Sequence, residues 1–136
     1  MHKHKSLLKI FFVLAISCCV MMSAAQNKPG YETISTVEGL SQGMIFDLIQ
    51  DKEGFIWVAT KNGLNRYDGY GFKIFANDPY NAYSLSSNTV VKLFEDSKGR
   101  IWAGTENAGL NIYDKQSGKF HRIAQSNSNP ASLSGN

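Results

Sequence analysis

The sequence predicts an all-β fold, and three observations predict it. Two stretches of the 136-residue chain repeat each other, at a period of about 45 residues. Each copy is a series of short apolar or aromatic runs rich in strand-forming residues. Turn residues separate these runs at the same places in both copies, too often to leave room for a helix of about 10–12 residues.

The repeat is explicit. LSQGMIFDLIQDKEGFIWVATKNGLNRYD begins at Leu40, and LSSNTVVKLFEDSKGRIWAGTENAGLNIYD begins at Leu85. The alignment pairs Ser41 with Ser86, Leu48 with Leu93, Asp51 with Asp96, Gly54 with Gly99, Trp57 with Trp102 and Thr60 with Thr105. After a one-residue insertion at Ala108 it pairs Gly63-Leu64-Asn65 with Gly109-Leu110-Asn111, and Tyr67-Asp68 with Tyr113-Asp114.

Each copy reads as four strands. The first is Met44–Gln50 or Thr89–Glu95, nearly continuous in apolar residues and therefore expected to be buried on both faces. Asp51–Gly54 and Asp96–Gly99 then turn the chain. The second strand is Ile56–Thr60 or Ile101–Thr105. Asn62-Gly63 is a hairpin signal, loosened to Asn107-Ala108-Gly109 in the second copy. The third strand ends at Tyr67 or Tyr113, followed by turns at Asp68–Gly71 and Asp114–Gly118. The fourth is Phe72–Phe75 or Phe120–Ile123. A four-stranded unit of this length is one blade of a β-propeller.

The expected organisation follows. Residues 40–84 are blade 1 and residues 85–131 are blade 2. Residues 132–136, with Ser132-Leu133-Ser134, begin a third copy. Residues 26–39 form an N-terminal segment in which 31–34 has the aromatic-polar-x-apolar form of a fourth strand, an orphan without its first three. A propeller needs at least about four blades. Two cannot close, so the chain reads as an incomplete propeller, a fragment or truncated product of a longer one. Alone it is expected neither to be a stable monomer nor to have an activity of its own, because uncapped blades expose apolar faces and strand edges.

Residues 1–25 read as a signal peptide: a basic start with Lys3, Lys5 and Lys9, an apolar run over Ile10–Met22, and small residues Ser23-Ala24-Ala25 before the cut. The run is shorter than the about 20 residues a membrane helix needs, so no membrane insertion is expected after cleavage, and the mature chain is placed in the periplasm. A lipid anchor on Cys18 or Cys19 is the minor alternative; the residues before them, Ala15-Ile16-Ser17, lack the usual leading Leu. The chain has 14 Lys and Arg against 11 Asp and Glu. The three leader lysines account for the excess, so the mature part is neutral and nucleic acid is not an expected partner. Both cysteines leave with the leader, and one histidine, His121, remains. No disulfide, thiolate centre or His-rich metal site can be assembled, and no cofactor is expected.

The conspicuous side chains read as structural. Trp57 and Trp102 occupy the same strand position in both copies and are expected to pack between sheets rather than to stack on sugars. Asp51 and Asp96 are expected to cap turns: DKEGF and DSKGR lack the alternating oxygens of a calcium loop. They also lack the single-residue Asp–Gly spacing of the sialidase Asp-box. Thr60 and Thr105 end strands and pair locally. His121 is a solvated strand residue, and Asp47 with Asp51 gives no catalytic spacing. No nucleophile with its base is visible, so no catalytic residue is assigned. The stretch Arg66–Tyr83, with Tyr70, Tyr80 and Tyr83, is the best surface candidate for ligand contact.

The combination LS, D-x-x-G-x-I-W, A/G-T and GLN-x-YD, present twice between Tyr31 and Asn136, resembles the two-component regulator propeller repeat. The resemblance implies a longer parent: consecutive periplasmic propellers, a β-sandwich, a membrane helix, a histidine kinase, and receiver and DNA-binding domains. It also implies an oligosaccharide-type ligand, and as partners the further blades and downstream sensor domains of the parent. A kinase activity would belong to those downstream domains. The rival readings are a secreted propeller serving as a protein-docking scaffold, and, less favoured, a propeller lyase or glycosidase.

Overall fold

The computed structural model describes residues 30–123. The signal peptide expected over 1–25 and the third-copy start expected over 132–136 lie outside the described residues. Among the described residues there are eight strands: β1 (Ile45–Gln50), β2 (Ile56–Thr60), β3 (Gly63–Tyr67), β4 (Phe72–Phe75), β5 (Val90–Glu95), β6 (Ile101–Thr105), β7 (Leu110–Asp114) and β8 (Lys119–Ile123). They form two four-stranded sheets, β1-β2-β3-β4 and β5-β6-β7-β8, antiparallel throughout. This is the all-β blade pair that the repeat predicts.

The turns follow from their residues. Asp51 Oδ1 accepts the backbone N–H groups of Glu53 and Phe55, and Asp96 Oδ1 accepts those of Lys98 and Arg100. Gly63 opens β3 at φ 109°, where a Cβ would lie 2.5 Å from the Phe75 carbonyl oxygen, so only glycine fits this hairpin beside β4. Thr60 and Thr105 each donate their hydroxyl across the same hairpin, to the carbonyls of Gly63 and Gly109.

The first strand of each blade departs from the expected burial on both faces. Ile45 and Leu48 of β1 are about half exposed, and Phe94 of β5 is 62% exposed. A continuous apolar run is buried on both faces only where both faces are covered, and here the blades cover each other on one face each. The segment 31–34, expected as an orphan strand, joins neither sheet. A strand of its type pairs with a third strand, and β3 and β7 are already paired by β4 and β8.

The core lies between the two sheets. Register sorts each blade into two faces. Blade 1 turns Ile49, Trp57, Ala59, Leu64 and Phe75 toward blade 2, which answers with Leu85, Val90, Leu93, Ile101, Ala103, Tyr113 and Phe120. Trp57, Phe75, Tyr113 and Phe120 form one aromatic cluster, with centroid separations between 4.9 and 5.7 Å. Among the described residues two further surfaces are left without a covering strand. The outer face of blade 1 is an apolar groove of about 130 Å³ lined by Ile34, Leu40, Ile45, Leu48, Ile56, Val58, Tyr67 and Phe72. The far face of blade 2 carries Phe94, Trp102, Gly104, Leu110 and Ile123.

A buried asparagine ties each blade to the chain that enters it. Asn65, fully buried, accepts the Ser41 N–H and donates to Ser41 Oγ; Asn111 does the same with Ser86. This explains why the LS and GLN parts of the repeat occur together. A second tie runs along the outer edge of blade 2. The Phe120 N–H donates to the Tyr83 carbonyl, and the Arg122 guanidinium donates to the carbonyls of Asn81, Ser84 and Leu85.

Candidate functional site

The turns β1–β2, β5–β6 and β7–β8 bring ionisable side chains from both blades together. The Lys115 ammonium lies 2.9 Å from Asp51 Oδ2, 3.4 Å from Glu95 Oε1 and 3.6 Å from Glu53 Oε1. Asp51 Oδ2 also accepts the Trp57 indole N–H at 2.7 Å. From the other direction, Lys52 donates its backbone N–H to Glu95 Oε2 and its ammonium to the carbonyls of Asp96 and Ser97. Along the first strands, Asp47 Oδ2 accepts the Leu93 N–H and pairs with Lys92, both at 2.9 Å. Asp47, Asp51, Lys52 and Lys115 therefore all bond across the blade boundary.

The titration of these groups follows from their surroundings. Burial alone would raise the Asp51 carboxyl, but the Trp57 and Lys115 hydrogen bonds outweigh it and hold the carboxyl below its ordinary 3.8. Asp47 is likewise lowered: its burial is outweighed by the Leu93 N–H and Lys92. Burial would lower Lys115, yet Asp51, Glu53 and Glu95 raise it above 10.5. Asp96 is lowered strongly, first by the Trp102 indole N–H and then by Arg100. Lys115 is therefore held protonated and Asp51 held ionised at neutral pH, which suits neither an amine nucleophile nor a general acid. The arrangement is an ionic latch between blades.

A pH dependence follows. Asp47 and Asp51 are lowered, so their contribution is complete above the ordinary carboxylate value and is lost as pH falls through their folded values. Lys115 is raised, so its contribution is complete below its ordinary value and is lost as pH rises through its higher folded one. Thermal unfolding midpoints are expected to form a plateau between about pH 5 and 10 and to fall on both sides. Lys115→Met should reduce the alkaline fall, the rest coming from Tyr113, whose burial also raises it above 10.0; an unchanged alkaline limb in that variant would contradict the latch.

Beside the latch lies a polar cleft of about 400 Å³, lined by Glu53, Lys98, Gly99, Arg100, Asp114, Lys115 and Gln116. Its wall offers both charge signs and amide groups, a chemistry suited to a hydroxyl-rich or charged small molecule. Among the described residues no group of three His, Cys, Asp or Glu side chains is placed to hold a metal.

The residues singled out in the sequence do not converge. Trp57 is fully buried between the blades, whereas Trp102 is half-buried on the far face of blade 2. Asp51 and Asp96 cap turns as expected, and each also anchors the indole of the Trp six residues on. His121 is exposed on β8. The stretch Arg66–Tyr83 is split among elements: Tyr70 sits fully exposed in the β3–β4 turn, while Tyr80 and Tyr83 lie in the connection between the blades. Arg66 lies over the Phe55 ring at 4.4 Å. Lys115 and the cleft were not found from the sequence. The position equivalent to Lys115 in blade 1 is Gly69, so the repeat carries no signal for it.

Comparison with known proteins agrees with the repeat. The family described as two component regulator propeller matches residues 39–62 and 84–107. A curated relative, Histidine kinase P4 of Formosa agariphila, is 38% identical over 78 residues, covering 57% of this chain and 6% of its own length. Among solved structures, an extracellular domain described as part of a hybrid two component system of B. thetaiotaomicron superposes with a TM-score of 0.69 at 30% identity. That match covers 75% of this chain and 14% of that one. A second extracellular domain from the same organism, described as part of a one component system, superposes with a TM-score of 0.54 at 23% identity and supports the fold alone. It covers 68% of this chain and 14% of that one. The chain thus spans a small part of the relatives it matches. No helix among the described residues is long and apolar enough to cross a membrane.

Proposed function

From a chain that carries two copies of the two-component regulator propeller repeat, we propose that these blades belong to the periplasmic sensor propeller of a two-component signal transduction protein. The ligand is of carbohydrate type, and the intact parent carries its signal onward through the domains that adjoin the propeller. The observation that carries this reading is the match of both blades, at equivalent positions, to that repeat. The extracellular placement of the similar B. thetaiotaomicron domain supports the compartment. The mixed-charge cleft beside Lys115 supports a polar, hydroxyl-rich ligand over an apolar one. The ordered eight strands leave no kinase fold within the described residues, so phosphoryl transfer is assigned to the parent rather than to these blades.

Export is part of the proposal. Mass spectrometry of the periplasmic protein should give a mature N-terminus at Gln26; a lipid-modified Cys18 or Cys19 would place it on a membrane instead. The functional test is a transcriptional reporter in a strain carrying the intact locus, challenged with oligosaccharide digests of several polysaccharides. Induction by one digest, lost on in-frame deletion of residues 40–123, is the expected result. A response unaffected by that deletion would overturn the reading.

A further inference from the structure

We infer that the blade continuing this chain in the intact parent meets blade 2 with a carboxylate at the place where blade 2 meets blade 1 with Lys115. The sensor-propeller reading above supplies that following blade, and the inference rests on it. Blade 1 turns an acidic edge toward blade 2. Its first strand and the turn after it carry Asp47, Asp51 and Glu53 against Lys52. Blade 2 answers with cations: Lys92 lies 2.9 Å from Asp47, and Lys115 lies 2.9 Å from Asp51 and 3.6 Å from Glu53. Arg66 and Lys73, farther out on the same face, lie over the Phe55 and Phe75 rings.

The equivalent edge of blade 2 has the opposite sign. The repeat aligns Asp47 with Lys92, Lys52 with Ser97, Glu53 with Lys98 and Phe55 with Arg100. Only Asp96, at the place of Asp51, stays acidic. Arg100 of its own turn already pairs with it at 2.7 Å. The carboxylate that takes its cation from the next blade at the first boundary is thus supplied from within its own blade at the second. The two turns are otherwise built alike, since Asp51 and Asp96 each hold two turn amides and the indole of the Trp six residues on. Lys115 is the residue after the Tyr113-Asp114 pair, and it reaches Glu53. The same geometry would set the residue after the next copy's Tyr-Asp pair against Lys98. Among the described residues Lys98 has no ion pair, and the Arg100 side chain is 41% exposed. A lysine brought to that place would face two cations, and a carboxylate would find both. Lys98 and Arg100 also line the polar cleft, so the following blade would form its remaining wall.

The test is carbodiimide cross-linking of the purified intact parent, read by peptide mass spectrometry. The reagent activates a carboxylate, a neighbouring lysine amine forms the amide, and the displaced oxygen leaves in the urea. Amides joining Lys92 to Asp47 and Lys115 to Glu53 are the internal control that the reaction has worked. The expected result is an amide between Lys98 and an Asp or Glu in the turn after the next copy's Tyr-Asp pair. That peptide should be lost completely in Lys98→Arg, which keeps the charge but not the amine. Control amides with none from Lys98 would overturn the inference. So would a Lys98 amide made only to Glu53 or Asp114, or to a separate protein. A further copy of the repeat with a lysine or arginine after its Tyr-Asp pair would also overturn it, while leaving the sensor-propeller reading standing. A parent that continues without any further copy would overturn that reading and this inference with it.

Discussion

Trp57→Ala is expected to cost about 3–5 kcal/mol of unfolding free energy, and Trp102→Ala roughly 1–2 kcal/mol. The repeat gives the two tryptophans the same position, yet the fold gives them different surroundings. Trp57 is fully buried, stacks on Phe75 at 5.7 Å and meets Tyr113 at 5.4 Å. Its removal would leave a cavity between two sheets, with Asp51 deprived of one donor. Trp102 keeps the same indole bond, to Asp96 at 2.9 Å, but its ring lies on an open face. Urea unfolding of both variants under the same conditions checks this. Equal losses would show that the far face of blade 2 is covered in solution as fully as the internal boundary.

Asp51→Ala should cost about 3–5 kcal/mol, the range for removing one partner of a buried ion pair. The substitution leaves Lys115, whose side chain is 17% exposed, facing a position where the carboxylate side chain had no exposure at all. It also strands the turn amides of Glu53 and Phe55 and the indole N–H of Trp57. The matching control lies in the second blade. Arg100 pairs with Asp96 at 2.7 Å, but its side chain is 41% exposed. Arg100→Met is therefore expected to cost no more than about 1 kcal/mol. A double-mutant cycle on Asp51 and Lys115 should return a coupling well above that of Asp96 and Arg100. Similar couplings would mean that the latch is as solvated as the surface pair.

Much of this fold was legible because each repeat states its local geometry twice. β2, β4 and β6 have the bounds their apolar runs predict, and the Asp-capped turns fall where Gly54 and Gly99 permit them. The Asp–Trp bond was not legible: the six-residue spacing occurs in both copies, but a spacing across a turn signals contact only once the register of the flanking strands is known. The exposure of β1 was not legible. Ile45 and Leu48 are as apolar as Val90 and Leu93, and their burial is decided by a neighbouring sheet rather than by their own segment. Lys115 was the least legible of all. It reaches back to a turn more than a blade earlier in the chain, and only the sheet packing brings Asp51, Glu53 and Glu95 within its reach.

The edge tie at Arg122 bears on the order in which the chain acquires structure. The connection through Asn81, Ser84 and Leu85 leads into blade 2, yet the guanidinium that holds its carbonyls comes from the last strand of that blade. During synthesis the Arg122 contacts therefore wait until β5, β6, β7 and most of β8 have been made, and the connection has only its own local bonds, such as Asn77 to the Leu85 carbonyl and the Ser84 hydroxyl to the Asp78 and Asn81 carbonyls. Blade 1 depends on no such delayed partner for its own hairpins, which close locally and early. Closing the Arg122 contact late is entropically slow, as non-local pairings are. The seam at the outer edge is thus the clasp that completes the second blade, joining its last strand to the connection that leads into its first.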